Sequence, residues 1–186
     1  MARHRFTHRI FGAFAWLMTA LSAGATYAAD ALPLEQIKLP PGFSITVLAR
    51  VENARQMTLG KVGPDGATLF VGSMRAGRVS ALSLNGRFEW RSTHVLAEGL
   101  QLPVGVAYKD GDLFISEVSR ILRLPAVERQ LDKPPAPVMV TDKLPRETHH
   151  GWKFIAFGPD GKLYVPVGAP CNICEPDASA TRCSPA

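Results

Sequence analysis

The sequence predicts an all-β fold and, within that class, an incomplete β-propeller of about two and a half four-stranded blades. Three observations predict it. Short apolar runs alternate with turn signals along most of the chain, which carries 16 Gly and 15 Pro, the punctuation of strands and not of a helical bundle. A glycine turn recurs in one setting, at Pro64-Asp65-Gly66, Lys109-Asp110-Gly111 and Pro159-Asp160-Gly161, so that its glycines fall 45 and 50 residues apart. Each such turn joins two apolar runs, and a recurrent antiparallel unit of roughly 40–50 residues is the size of one propeller blade.

The chain opens on a targeting segment, residues 1–28. Arg3, Arg5 and Arg9 precede an uncharged stretch from Ile10 to Ala29 with an apolar core of Phe11, Phe14, Trp16, Leu17, Met18 and Leu21, the layout of a secretory signal peptide. Small residues suited to cleavage fall at Ala23-Gly24-Ala25 and at Thr26-Tyr27-Ala28, and cleavage after Ala28 is the favoured expectation. The exported product is then expected in the periplasm or outside the cell, without stable membrane insertion. The segment holds three of the 21 Lys and Arg and none of the 16 acids, so its removal lowers the net charge from +5 to +2. The basic balance therefore belongs to targeting. No Lys/Arg run with interleaved aromatics follows, which excludes nucleic acid as the expected partner.

Residues 29–41 read as a linker, and 42–186 as the partial propeller domain, truncated at its C-terminus. An opening strand is predicted over Gly42–Ala49, where Phe43, Ile45 and Val47 alternate with Ser44 and Thr46. The first unit then runs through Met57–Gly63, Thr68–Val71, Arg78–Leu82 and Val95–Leu100. The second runs through Pro103–Tyr108, Asp112–Ser116 and Arg120–Leu124. A third begins with Lys153–Phe157 and Lys162–Val165. The third unit alone is preceded by paired histidines, His149 and His150, so the hairpin recurs while the chemistry-bearing loop occurs once.

Cys171, Cys174 and Cys183 lie in the last sixteen residues. In an exported chain they are disulfide candidates first, with a metal site or redox dithiol as the other readings of the Cys-x-x-Cys spacing. Glu175 rules out covalent haem attachment, which needs His there.

Several stretches resemble the N-terminal half of the glucose/sorbosone dehydrogenases, the sorbosone branch above all. They are LPPGFSITVLA near the mature start, LFVGSMRAGRV (69–79), LPVGVAYKDGDLFISE (102–117) and HHGWKFIAFGPDGKLYVPVGAPCNIC (149–174). The resemblance covers most of residues 34–177. It implies an exported six-bladed propeller that oxidises a sugar or sugar aldehyde with pyrroloquinoline quinone (PQQ) and passes electrons to an acceptor. Calcium is a further cofactor it implies for the full-length family, with ligands in later blades.

The resemblance also implies a catalytic histidine acting as general base, a role that imidazole suits near neutral pH. The family pattern of His, Gly and then a cation sets His149 as the base and Lys153 as the cation, whereas counting back from the glycine turn sets His150. Gln101 and Lys153 fall where relatives contact the sugar. The basic residues that clamp PQQ come from later blades, so the expectation is part of an enzyme, inactive in isolation. The competing expectation is a propeller module without catalysis that binds carbohydrate or protein.

Overall fold

The computed structural model describes residues 32–169. Residues 1–28, read as a signal peptide, and the three cysteines lie outside the described residues. Those described fall into two parts, 32–46 and 47–169. The first holds one short 3-10 turn, Leu34–Gln36. No helix among the described residues is long and apolar enough to cross a membrane.

The fold is all-β and antiparallel. Strands β1 (Met57–Gly63), β2 (Gly66–Gly72), β3 (Val79–Asn85) and β4 (Trp90–Ala97) form one sheet in chain order. Strands β5 (Val106–Lys109), β6 (Asp112–Ser116), β7 (Ile121–Leu124) and β8 (Val138–Thr141) form a second, again in chain order. A hairpin of β9 (Ala156–Phe157) and β10 (Leu163–Tyr164) follows. The repeat read from the glycine turns is thus real at the level of sheets, and β1, β5 and β9, the first strand of each, are neighbours. The described sheets do not close on themselves.

The turns explain the spacing. Between β5 and β6, Asp110 and Gly111 both take left-handed conformations, with φ of 53° and 91°. Two successive positive φ values match the twist of the strands they join, and Asp-Gly adopts them at low steric cost.

Three departures from the sequence reading have physical causes. The opening strand expected over Gly42–Ala49 pairs with no other strand, and Phe43, Ile45 and Val47 are exposed. Alternation alone does not make a strand when its backbone groups have no ladder partner. Strand β8 was not read from the sequence; Pro134, Pro135 and Pro137 precede it, and it sits at the sheet edge, where flanking prolines are tolerated. The run Lys153–Phe157 pairs only at Ala156–Phe157; the Lys153 carbonyl and the Ile155 N–H and carbonyl bond to side chains instead, as described below.

Packing between sheets makes the core. Phe70, Val79, Ala81 and Leu96 of the first sheet meet Val106, Leu113, Ile115, Leu122 and Leu124 of the second. The other face of the second sheet, through Ala107, Phe114 and Ile121, packs on Ile155, Phe157, Leu163 and Val165. The two faces follow from alternation along each strand, in which neighbouring residues point to opposite sides. The far face of the first sheet, with Val71, Leu82 and Leu84, is covered by Ala49 and Val51. A polar tie reinforces the first interface: Glu128 accepts from the Tyr108 hydroxyl and from the Lys61 backbone N–H, the latter at 3.0 Å. Burial and this carboxylate push the Tyr108 phenol up to about 12.

Candidate functional site

The histidines sit on a turn that the second sheet holds in place. Gly151 N–H donates to the Thr148 carbonyl at 3.0 Å, so His149 and His150 are the two central residues of a β-turn. His150 has φ of 50°, a left-handed conformation that non-glycine residues seldom adopt and that clusters at functional sites. Gly151 is required by space: a Cβ there would lie 2.3 Å from the Glu147 carbonyl oxygen.

The two imidazoles stack, with centroids 4.2 Å apart and planes at 25°. His150 Nδ1 lies 3.1 Å from the Ala169 carbonyl oxygen. A carbonyl oxygen only accepts, so Nδ1 carries the proton and donates. In the neutral ring this leaves Nε2 unprotonated, with its lone pair ready to take a proton. Gly168 brings the two segments this close, since a Cβ on it would lie 2.5 Å from the His150 carbonyl oxygen. The Trp152 ring stands edge-on to His150 at 6.5 Å.

Lys153 anchors the turn from below. Its residue is 2% exposed, and Nζ donates to the Val118 carbonyl at 2.5 Å and the Gly151 carbonyl at 2.7 Å. Its own backbone carbonyl accepts from Ser116 Oγ at 2.7 Å, and Ser116 Oγ in turn accepts from Gly105 N–H at 2.9 Å. Two residues on, Gln56 completes the attachment: its Nε2 donates to the Ile155 carbonyl at 2.6 Å and its Oε1 accepts the Ile155 N–H at 3.0 Å. One glutamine side chain thus replaces a strand partner for Ile155. It joins residues 99 apart in the chain.

Desolvation lowers the Lys153 pKa from its ordinary 10.5, with the Glu147 charge opposing in part. The folded chain then releases this proton at lower pH than the unfolded chain does. Stability is expected to rise with pH through the lowered pKa and up to 10.5, where the unfolded lysine also deprotonates. Lys153→Met should remove that rise in urea titrations run below pH 10, before the tyrosines of the unfolded chain ionise and Tyr108 adds an opposite slope. An unchanged slope in the variant would show that the amine is not desolvated by the fold.

His149, His150 and Lys153 line one open cleft of about 470 Å³ with Arg146, Glu147 and Gly168. Of the residues singled out in the sequence, the structure brings these three together. Gln101 is exposed and does not line the cleft. Its backbone N–H donates to Glu117 Oε1 at 2.6 Å and its carbonyl accepts from Val118 N–H at 3.3 Å, so it supports the segment on which Lys153 is anchored. Glu117, 1% exposed and also bonded to Arg120, was missed, as were Gln56 and Ser116. The bonds that tie them to the site span 16, 37 and 99 residues, from Glu117 to Gln101, Ser116 to Lys153 and Gln56 to Ile155, so no local spacing marks them.

Lys153 is engaged by two carbonyls, and Arg146 is the cleft's other Lys or Arg among the described residues. A quinone with several carboxylates would meet one guanidinium, two imidazoles and the opposing charge of Glu147. The described residues therefore do not make a PQQ site by themselves. No group of three or more His, Cys, Asp or Glu among them could hold a metal ion. Comparisons with protein-family models, with curated proteins and with solved structures find no match for this chain.

Proposed function

We propose that this chain forms part of an exported β-propeller enzyme that oxidises a sugar or sugar aldehyde with PQQ, in the manner of the glucose/sorbosone dehydrogenases. The observation that carries the reading is the His150 imidazole. It is held by its Nδ1 proton to the Ala169 carbonyl at the edge of an open cleft, with Nε2 left to accept a proton. Oxidation of an alcohol or hydrated aldehyde needs such an acceptor for the hydroxyl proton while hydride leaves carbon. PQQ, when bound, supplies the hydride acceptor.

The chain's own residues do the rest of what is assigned here. His150 takes the proton, and His149 fixes the ring plane by stacking. Lys153 holds the turn, and its bonds to two carbonyls give it a positioning role in place of substrate contact. The residues that bind the cofactor lie outside those described. The sheets that repeat in chain order support the propeller reading, because each buries its face against the next.

A second reading has an observation of its own. Trp152 and Phe154, which follow the histidine turn in the chain, are 46% and 63% exposed, and exposed aromatic faces suit a module that binds carbohydrate without chemistry. Dye reduction by the exported polypeptide, loaded with PQQ and supplied with aldoses, separates the two. The dehydrogenase reading expects turnover that His150→Asn lowers on the order of 10²-fold or more, with a smaller loss for His149→Asn. Aldose binding without turnover, or equal activity of the His150 variant, would overturn it.

A further inference from the structure

A histidine away from the cleft sits in a hydrogen-bonded chain of its own. His94 Nδ1 lies 2.8 Å from Asp132 Oδ1, and His94 Nε2 lies 2.9 Å from Ser92 Oγ and 3.2 Å from Ser83 Oγ. A carboxylate accepts, so Nδ1 carries the proton and, in the neutral ring, Nε2 is the bare nitrogen facing the two hydroxyls. Serine, imidazole and carboxylate thus follow one another in the order that activates a serine for attack on a carbonyl. None of these four residues lines the cleft of His149 and His150.

The strands make this arrangement. Ser92 and His94 are two residues apart on β4, so both project from one face, and Ser83 on β3 lies directly opposite Ser92. Ala81, opposite His94, belongs to the core between the two sheets, as does Leu96. The face is therefore the one that meets the second sheet. Asp132 comes from the loop between β7 and β8, where its neighbour Leu131 packs against the same core. The His94 side chain is 16% exposed and that of Asp132 94%, so the acid closes the chain from the solvent side.

Ser92 is the nearer hydroxyl, and it lies on the outermost strand of its sheet, whereas Ser83 lies on an inner one. The register passes from Ser83 opposite Ser92 to Leu84 opposite Trp90, so Arg91 is the extra residue of a β-bulge immediately before the serine. A bulge re-aims side chains and releases backbone groups from the ladder. On the open side of an edge strand, backbone N–H groups likewise have no strand to bind. These are the donors beside Ser92 for the oxygen of an attacked carbonyl.

We propose that Ser92, His94 and Asp132 form a second site, one that hydrolyses carboxylic esters. Ser92 Oγ attacks the ester carbonyl as its proton passes to His94 Nε2. The Oγ–C bond forms, the bond from the acyl carbon to the alcohol oxygen breaks, and the proton leaves with the alcohol. Water then attacks the acyl carbon and gives a proton to Nε2; the acid is released, and the serine oxygen takes that proton back. Nothing is oxidised or reduced, and water is the one co-reactant. Asp132 is a positioning residue that holds the ring with Nε2 toward the serine. Esters of short acids are the expected substrates, because Ser92 projects toward the seam between two packed sheets. These residues have no part in the proposed sugar oxidation, so either activity can fail without the other.

An alkyl fluorophosphonate tests this on the unaltered polypeptide as its own host produces it, since loss of fluoride leaves a stable phosphonyl group on an activated serine. The expected result is a single label, located on Ser92 by peptide mass, together with hydrolysis of p-nitrophenyl acetate that the label abolishes. Asp132→Asn, at an exposed position, should slow labelling on the order of 10²-fold or more. It should also remove the low-field proton resonance of an imidazole N–H held by a carboxylate, a signal that loss of packing alone would not single out. No label on the folded protein, a label on any other residue, or an Asp132→Asn variant labelled at the parent's rate would overturn the assignment.

Discussion

Gln56→Leu is expected to lower the stability of the chain by about 2–4 kcal/mol, since leaving a buried polar group unpaired costs ~1–3 kcal/mol and this change strands two of them. Leucine keeps most of the volume and removes both bonds to Ile155, whose N–H and carbonyl are satisfied by the glutamine amide at 3.0 and 2.6 Å. Ile155 is fully buried and its backbone groups have no ladder partner at that point. The loss should show as a lowered urea midpoint with fast amide exchange at Ile155 and Phe157, while β2 and β3 stay protected. A change of under about 1 kcal/mol would mean that water or a neighbouring group replaces the amide. The hairpin bearing the histidine turn would then be held by its apolar contacts alone.

Gly105→Ala should act on the same junction through sterics. A Cβ there would sit 2.2 Å from the Lys153 carbonyl oxygen and 2.5 Å from Ser116 Oγ. Real Cβ atoms do not approach so closely, so either the second sheet or the segment after the histidine turn must move. Overpacking of a filled interior typically costs about 1–3 kcal/mol, and a backbone oxygen as the clashing atom places this site at the upper end. The structure predicts a coupled response. Exchange should quicken at Lys153 and Ile155, and the Ser116 bond to the Lys153 carbonyl, 2.7 Å in the native chain, should be lost. An alanine variant as stable as the parent would show that the sheets do not meet this closely.

Both predictions bear on why the site was only partly legible in the sequence. The hairpins could be read because their signals are local. Asp110-Gly111 fixes a turn by its own conformational preference, and alternating residues such as Ala107 and Tyr108 report two faces of one strand. The histidine pair could be singled out because it breaks the repeat. What the sequence does not display is the attachment of that pair to the rest of the fold. Gln56, Ser116 and Glu117 each act through partners distant in the chain, and nothing in their immediate neighbours distinguishes them from surface residues.

Lys153 illustrates the same limit from the other side. The resemblance sets it as a cation facing substrate, yet its ammonium turns inward to the Val118 and Gly151 carbonyls. The opening segment at Gly42–Ala49 shows the converse error. A strand period was read correctly, but pairing depends on a neighbour that local pattern does not reveal. Burial of one polar side chain, and exposure of one apolar run, were decided by tertiary partners in both cases.

The chemistry proposed for the cleft depends on which nitrogen of His150 carries the proton. Nitrogen-15 NMR of the imidazole rings measures this directly, through the shifts and the two- and three-bond couplings of Nδ1 and Nε2. The bond to the Ala169 carbonyl predicts a neutral His150 ring protonated on Nδ1, with Nε2 showing the shift of a bare, accepting nitrogen. A neutral His150 protonated on Nε2, or an even mixture of the two forms, would contradict the account and remove the proton acceptor on which the proposed function rests.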